Sequence, residues 1–265
     1  MNDNLKKFVQ GELERITVKI STSTGFKGAG FFVTTDGYIL TAWHCIKEAI
    51  VSGSDNVFIE CYNGEKIVGK LKREKTLMDF DIAVIKTKHQ INNCIPLGCV
   101  PDNPKTDDVI GIGYPGTHEN QAGIGDYSGK ITRFVDYDVE IEGAIQGAGQ
   151  SGGLVYHWNT QRIIGVMKKI YSNKENPNKD KLLQNAGLAA KVEDLLSIWD
   201  ELSDIHDEIA KAWDERLTPF TAKTDASSTI LSEPKIEVNP NVKAKKIDQV
   251  FTIGSVNDVK ELKIG

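Results

Sequence analysis

The chain has 265 residues, 40% hydrophobic and 26% charged, with a formal net charge of −5. That length accommodates one or two domains with a sizeable core, and the composition excludes fibrous and wholly disordered chains. A mildly acidic chain exerts no global pull on nucleic acid or anionic lipid, and no apolar run approaches the ~20 residues of a membrane span.

The N-terminal stretch MNDNLKKFVQGELERITVKI lacks the apolar centre of a signal peptide, so a cytoplasmic protein is expected. Ile16, Val18 and Ile20 alternate with polar residues, the period of a half-buried strand. Gly30–Thr35 runs into Asp36-Gly37 and then Tyr38–Thr41. An Asp-Gly pair between apolar runs predicts a hairpin, because its turn needs positive φ. Asn63-Gly64, between Val57–Ile59 and Ile67-Val68, repeats the signal. Ile82–Ile85 is a short buried run, and the polar stretch 88–107 reads as a connection. A second series follows at Val109–Gly113, Lys130–Thr132, Val139–Ile141, Gly153–Val155 and Ile163–Val166. Two such series of short strands predict two barrels or sandwiches.

The period changes near Lys191. Leu195, Ile198, Leu202, Ile205, Ile209 and Ala212 step at heptad spacing, with Trp199 and Trp213 widening the apolar face of a helix over 191–216. Residues 217–246 are rich in Ser, Thr, Pro and Lys and read as a flexible linker. Residues 247–265 regain strand-like apolar character.

Three patterns carry chemistry: ILTAWHC ending at His44-Cys45, DFDIAVI from Asp79, and GQSGGLV from Gly149. A serine needs a base within hydrogen-bond reach, and that imidazole needs a carboxylate to fix its tautomer. His44, Asp81 and Ser151 supply these roles in that chain order. Asp79 competes with Asp81, since residues two apart share a strand face. The glycines around Ser151 allow backbone N–H groups to turn toward an oxyanion, and Gly149 and Ser151 are the natural donors. Gly111-Ile-Gly113-Tyr-Pro-Gly116 matches a dinucleotide fingerprint, but no βαβ unit surrounds it. His89, His118, His157 and His206 are scattered and read as surface histidines, with no metal-ligand spacing. Cys45, Cys61, Cys94 and Cys99 form no Cys-x-x-Cys, so neither a metal site nor a cofactor is expected, and free thiols are.

Those motifs resemble the three signatures of chymotrypsin-fold (trypsin-like) serine proteases, over roughly residues 13–190. The compact spacing and the segments DGYILTAWHC and IGIGYPG resemble the bacterial high-temperature-requirement and glutamyl-endopeptidase branches. The resemblance implies a mainly β fold. Two six-stranded antiparallel barrels, about 13–88 and 105–190, would lie perpendicular with the triad between them, followed by an amphipathic helix and a tail. It implies a serine endopeptidase acting on protein or peptide substrates, with His44, Asp81 and Ser151 catalytic. Ile145 would stand at the base of the primary pocket, and Met167, Lys168, Lys169 and Ile170 along one wall. With no acidic residue at Ile145, a small or apolar residue before the scissile bond is expected, while Lys168 and Lys169 leave an acidic one open. The sequence departs from the digestive enzymes in three respects. Gln150 precedes the serine where they have aspartate, no Ile-Val-Gly-Gly start exists, and Cys45 lacks an upstream partner. A looser resemblance, to small defence proteases of bacteria, implies control by a regulatory protein docking on the C-terminal helix or tail. The alternative is a peptide-binding module without turnover.

Overall fold

The computed structural model describes residues 2–116, 123–170 and 186–221. The chain opens with a helix, α1 (Asp3–Ile16), in a region read from its sequence only as the approach to a strand. Asn2 caps it by accepting from the Asn4 N–H, and Leu5, Val9, Leu13 and Ile16 fall on one buried face.

Six strands follow: β1 (Thr17–Thr22), β2 (Gly25–Phe32), β3 (Tyr38–Ala42), β4 (Asn56–Glu60), β5 (Lys66–Leu71) and β6 (Ile82–Lys86). They close into an antiparallel barrel in the order β1-β2-β3-β6-β5-β4, with the helix α2 (Trp43–Val51) rising from the end of β3. Both predicted hairpins form. Gly37 at φ +98° turns β2 into β3, and Gly64 at φ +82° turns β4 into β5. In the second turn the Asn63 side chain accepts the Glu65 N–H at 3.0 Å.

The second barrel comprises β7 (Asp108–Gly113), β8 (Gly125–Val135), β9 (Asp138–Glu142), β10 (Leu154–His157), β11 (Arg162–Ile170) and β12 (Ala186–Lys191), closed as β10-β11-β12-β9-β8-β7. The sequence reading passed over β12, whose Ala-Gly-Leu-Ala-Ala run lacks β-branched residues. Small side chains are needed there: a Cβ at Gly187 would press on Ile145. His157 is wholly buried in this barrel rather than at the surface. It is bonded to Asp107 at 2.9 Å and Thr160 at 2.9 Å. His118 lies outside the described residues.

The C-terminal helix differs from the expected seam. It breaks at Trp199 (φ −122°, ψ 85°) into α3 (Glu193–Ile198) and α4 (Asp200–Thr221). The break turns Ile198 out to solvent while Leu195, Trp199, Leu202, Trp213 and Leu217 are buried. α4 also runs five residues into the stretch read as a linker, and residues 222–246 and 247–265 lie outside the described residues. Much of the apolar face of α4 packs on the chain's own body, while Ala212 is exposed. Trp213 donates to Gln161 O at 3.0 Å, His206 meets Leu97 O at 2.7 Å, and Phe8 of α1 stacks on Phe220 at 4.8 Å.

Candidate active site

Three loops bring the site together where the barrels touch. The first is the step from β3 into α2, which carries His44. The second is the turn before β6. A 3-10 turn at Met78–Phe80 ends in Asp81, whose backbone is left-handed (φ 62°, ψ 35°). That conformation, which aspartate tolerates better than most residues, aims its carboxylate at α2. Asp81 Oδ1 accepts the His44 backbone N–H at 2.8 Å, Oδ2 lies 2.7 Å from His44 Nδ1, and Asp81 O accepts the Trp43 N–H at 3.0 Å. One aspartate therefore fixes both the backbone and the ring of His44. Asp79, the other candidate, is exposed. With Asp81 ionised, the proton sits on Nδ1 and Nε2 is free to accept. The hydrogen bond to Asp81 pushes the His44 pKa up from the ordinary imidazole value, with a smaller push from Cys45 and against the effect of burial.

The third loop joins β9 to β10 and holds Ser151. Ala29 in β2 donates its N–H to Ser151 O at 2.7 Å, and the Cys45 thiol lies 3.6 Å from the same oxygen. Gly152 follows at φ +85°, and a Cβ there would strike Ala29 O and Thr41 Oγ1. The serine is thus seated on the first barrel by contacts that allow no side chain beside it. Its hydroxyl donates to Lys168 O at 3.0 Å and not to the imidazole. Among the described residues, neither the Gly149 nor the Ser151 N–H donates to a backbone carbonyl. Ala148 O accepts the Gly116 N–H at 2.8 Å. In a trans peptide the C=O and N–H point oppositely, so this contact turns the Gly149 N–H away from Gly116.

A groove of about 410 Å³ runs past these groups, lined by His44, Ile145, Gly147, Ala148, Ser151, Met167, Lys168, Lys169 and Ile170. Every pocket residue named from the sequence lies on it. The two lysines are not equivalent. Lys168 Nζ binds both Asp138 oxygens at 3.0 Å with each side chain largely buried, whereas Lys169 is exposed. Burial raises the Asp138 pKa, and the Lys168 ammonium opposes that rise.

Sequence reasoning missed four contributors: Asp138, the Lys168 carbonyl, the Cys45 thiol and Gly116. Only Gly116 carried a signal, within the IGIGYPG segment. The other three act through chain crossings that no local pattern records.

A family model described as a trypsin-like peptidase domain matches residues 28–166. A probable periplasmic serine endoprotease, DegP-like, of Hahella chejuensis is 25% identical over 218 residues, covering 78% of this chain and 42% of that protein. A protein of the same description from Chlamydia trachomatis is 29% identical over 154 residues, covering 55% of this chain and 29% of its own length. This chain therefore spans less than half the length of either relative. Among solved structures, a serine endoprotease from Yersinia pestis superposes with a TM-score of 0.57 at 20% identity, covering 76% of this chain and 66% of that one. The HtrA-type protease AlgW, solved with a decapeptide, gives 0.54 at 18% identity, covering 74% and 66%. Both share the two-barrel fold.

Proposed function

The chain belongs to the trypsin-like peptidase family, and from that premise we propose that it is a serine endopeptidase working through His44, Asp81 and Ser151. The observation that carries the proposal is the Asp81–His44 pair at 2.7 Å, with His44 and Ser151 lining one groove. In the reaction Ser151 rotates off Lys168 O and gives its proton to His44 Nε2 as Oγ attacks the peptide carbonyl. The negative charge forming on the carbonyl oxygen is met by the Gly149 and Ser151 N–H groups. The imidazolium, stabilised by Asp81, then protonates the leaving amine. Water, deprotonated by His44, hydrolyses the acyl-enzyme and restores Ser151.

The groove favours a small or apolar residue before the scissile bond. Among the described residues no carboxylate lines it, so basic residues find no counter-ion there, and Lys169 is an exposed cation for an acidic one. The test is covalent labelling by a fluorophosphonate. Wild type labels at Ser151, and Ser151→Ala and His44→Ala do not. A folded wild type that stays unlabelled favours the second reading, a peptide-binding module without turnover. One contact supports that reading: the serine hydroxyl bonded to Lys168 O rather than to His44.

The finer proposal is a cytoplasmic effector held by a regulatory protein in bacterial defence. Since much of the apolar face of α4 packs on its own domain, the surfaces we assign to such a partner are its acidic solvent face and, from the sequence, the segment 247–265. Truncation after Lys246 tests this: hydrolysis survives and partner control is lost. Loss of hydrolysis, or unchanged control, overturns it.

A further inference from the structure

In the loop joining β9 to β10, Gln150 is a fully buried polar side chain. Its Oε1 accepts two backbone N–H groups, from Gln146 at 2.6 Å and Gly147 at 2.9 Å, and its Nε2 faces Ala144 O at 3.5 Å. All three partners belong to the same loop, and none carries a charge. The backbone of Gln150 is tied as well: its carbonyl accepts the Gly153 N–H at 2.9 Å, and a Cβ at Gly113 would rest against its Cα at 3.2 Å. Its neighbours in sequence are Gly149 and Ser151, the two oxyanion donors.

We propose that Gln150 is a positioning residue for those donors. Its amide folds 144–147 back against the Gly149–Ser151 turn, and so sets the directions of both N–H groups and the shape of the groove wall at Ile145 and Gly147. An amide does this with neutral backbone partners alone. The loop is ordered from within and calls on no incoming charged group such as a freed N-terminus. Replacing the amide by an apolar chain of equal length would leave the Gln146 and Gly147 N–H groups without their acceptor, and the loop would turn to pair them with water. The inference rests on the endopeptidase reading above.

The experiment compares full-length wild type, Gln150→Met and Gln150→Glu, each shown to be folded by near-ultraviolet circular dichroism. Three quantities are read: the rate constant of fluorophosphonate labelling, the affinity of a peptide boronate, and KM for the matching peptide substrate. Gln150→Met should label ~10²–10³-fold more slowly, the scale of losing one oxyanion donor. Its boronate affinity should fall by a similar factor and KM should change by a smaller one, since the boronate adduct leans on the donors and the bound substrate does not. Gln150→Glu keeps an acceptor oxygen and should recover part of the rate. Folded Gln150→Met labelling at the wild-type rate overturns the inference, as does a parallel change in boronate affinity and KM. If Gln150→Met does not fold, Gln150→Asn, whose amide falls one methylene short, carries the same expectations. A wild type that fails to label overturns the endopeptidase reading itself, and is told apart because no variant enters that comparison.

Discussion

Ala29 and Ser151 join the two barrels directly: the Ala29 N–H donates to the Ser151 carbonyl at 2.7 Å. The nucleophile is therefore located by the first barrel although the second supplies it, and the fit is tight enough to forbid a Cβ on Gly152. Gly152→Ala should be costly twice over. Its φ of +85° strains any L side chain by ~1–3 kcal/mol, and the new methyl would meet Ala29 O and Thr41 Oγ1. The expected outcome is a loss of stability beyond that strain in chemical denaturation, together with loss of labelling at Ser151. A variant with wild-type stability and labelling would show that the barrels can part here freely.

The pair formed by Asp81 and His44 predicts a pH dependence. A general base must be neutral to accept the serine proton, and Asp81 favours the cation. Turnover per active site should therefore rise with pH through a midpoint above the ordinary imidazole value of ~6.5. Asp81→Asn should move that midpoint down and lower kcat by ~10⁴-fold. Stability runs the other way. A folded pKa raised above the unfolded one stabilises fully below ~pH 6.5, and the contribution fades as pH climbs through the folded value. The stability gap between wild type and Asp81→Asn should accordingly narrow from about pH 6.5 upward. A gap that widens over that range would contradict the raised value.

The groove lysines should separate in a specificity assay. Lys169 is exposed, so Lys169→Met should lower kcat/KM for substrates with Glu before the scissile bond relative to those with Ala. Lys168 already spends its charge on the largely buried Asp138. Lys168→Met should leave that carboxylate unpaired and appear first as lost stability, ~3–5 kcal/mol if the pair behaves as buried. If Lys168→Met alters only the Glu-to-Ala ratio, the assignment of the two lysines is reversed.

Much of this fold was readable from local pattern. Asp36-Gly37 and Asn63-Gly64 marked real hairpins because the turn's demand for positive φ leaves few residue choices. The chemistry of the site was readable too, since a hydroxyl, an imidazole and a carboxylate in the right motifs admit few other uses. What escaped was set by tertiary packing. β12 consists of small residues because Ile145 and β11 crowd it, which no strand propensity records. The heptad seam of 191–216 failed at Trp199, where burial of the indole against Tyr38, 4.7 Å between ring centroids, outweighs continuing the helix. Leu5, Val9 and Leu13 carry the helical period of α1, on a stripe too narrow to stand out from its charged neighbours.

All four cysteines are free, and Cys45, Cys61 and Cys94 are buried while Cys99 is exposed. Burial pushes Cys61 up to about 11 and Cys94 further still, which suppresses their thiolates near neutral pH. A thiol reagent should find one fast-reacting group in the native protein and four after denaturation without reductant. Two fewer than four after denaturation would mean a disulfide and an oxidising compartment.

The N- and C-terminal helices should stand or fall together. Phe8 of α1 stacks on Phe220 and, at 6.0 Å, on Trp213, while the Arg216 guanidinium lies 5.2 Å from the Phe8 ring and pairs with Glu12. Glu12 is nearly inaccessible, and Arg15 is its other cationic partner. Removing Trp213 empties a large buried volume and leaves Gln161 O with the Arg162 guanidinium alone as donor, so Trp213→Ala should cost ~3–5 kcal/mol. Arg216→Met should also destabilise, because it takes from the buried Glu12 one of its two cationic partners rather than because the ion pair itself is strong. That distinction can be measured. If stranding is the cause, Glu12→Leu combined with Arg216→Met should be more stable than Arg216→Met alone, giving a coupling of ~0.5–3 kcal/mol in a double-mutant cycle. Additive losses would place the Arg216 contribution in its stacking on Phe8 and Trp213 instead. In either case the labelling of Ser151 should persist below the melting temperature of each variant, because no residue of this clasp lines the groove.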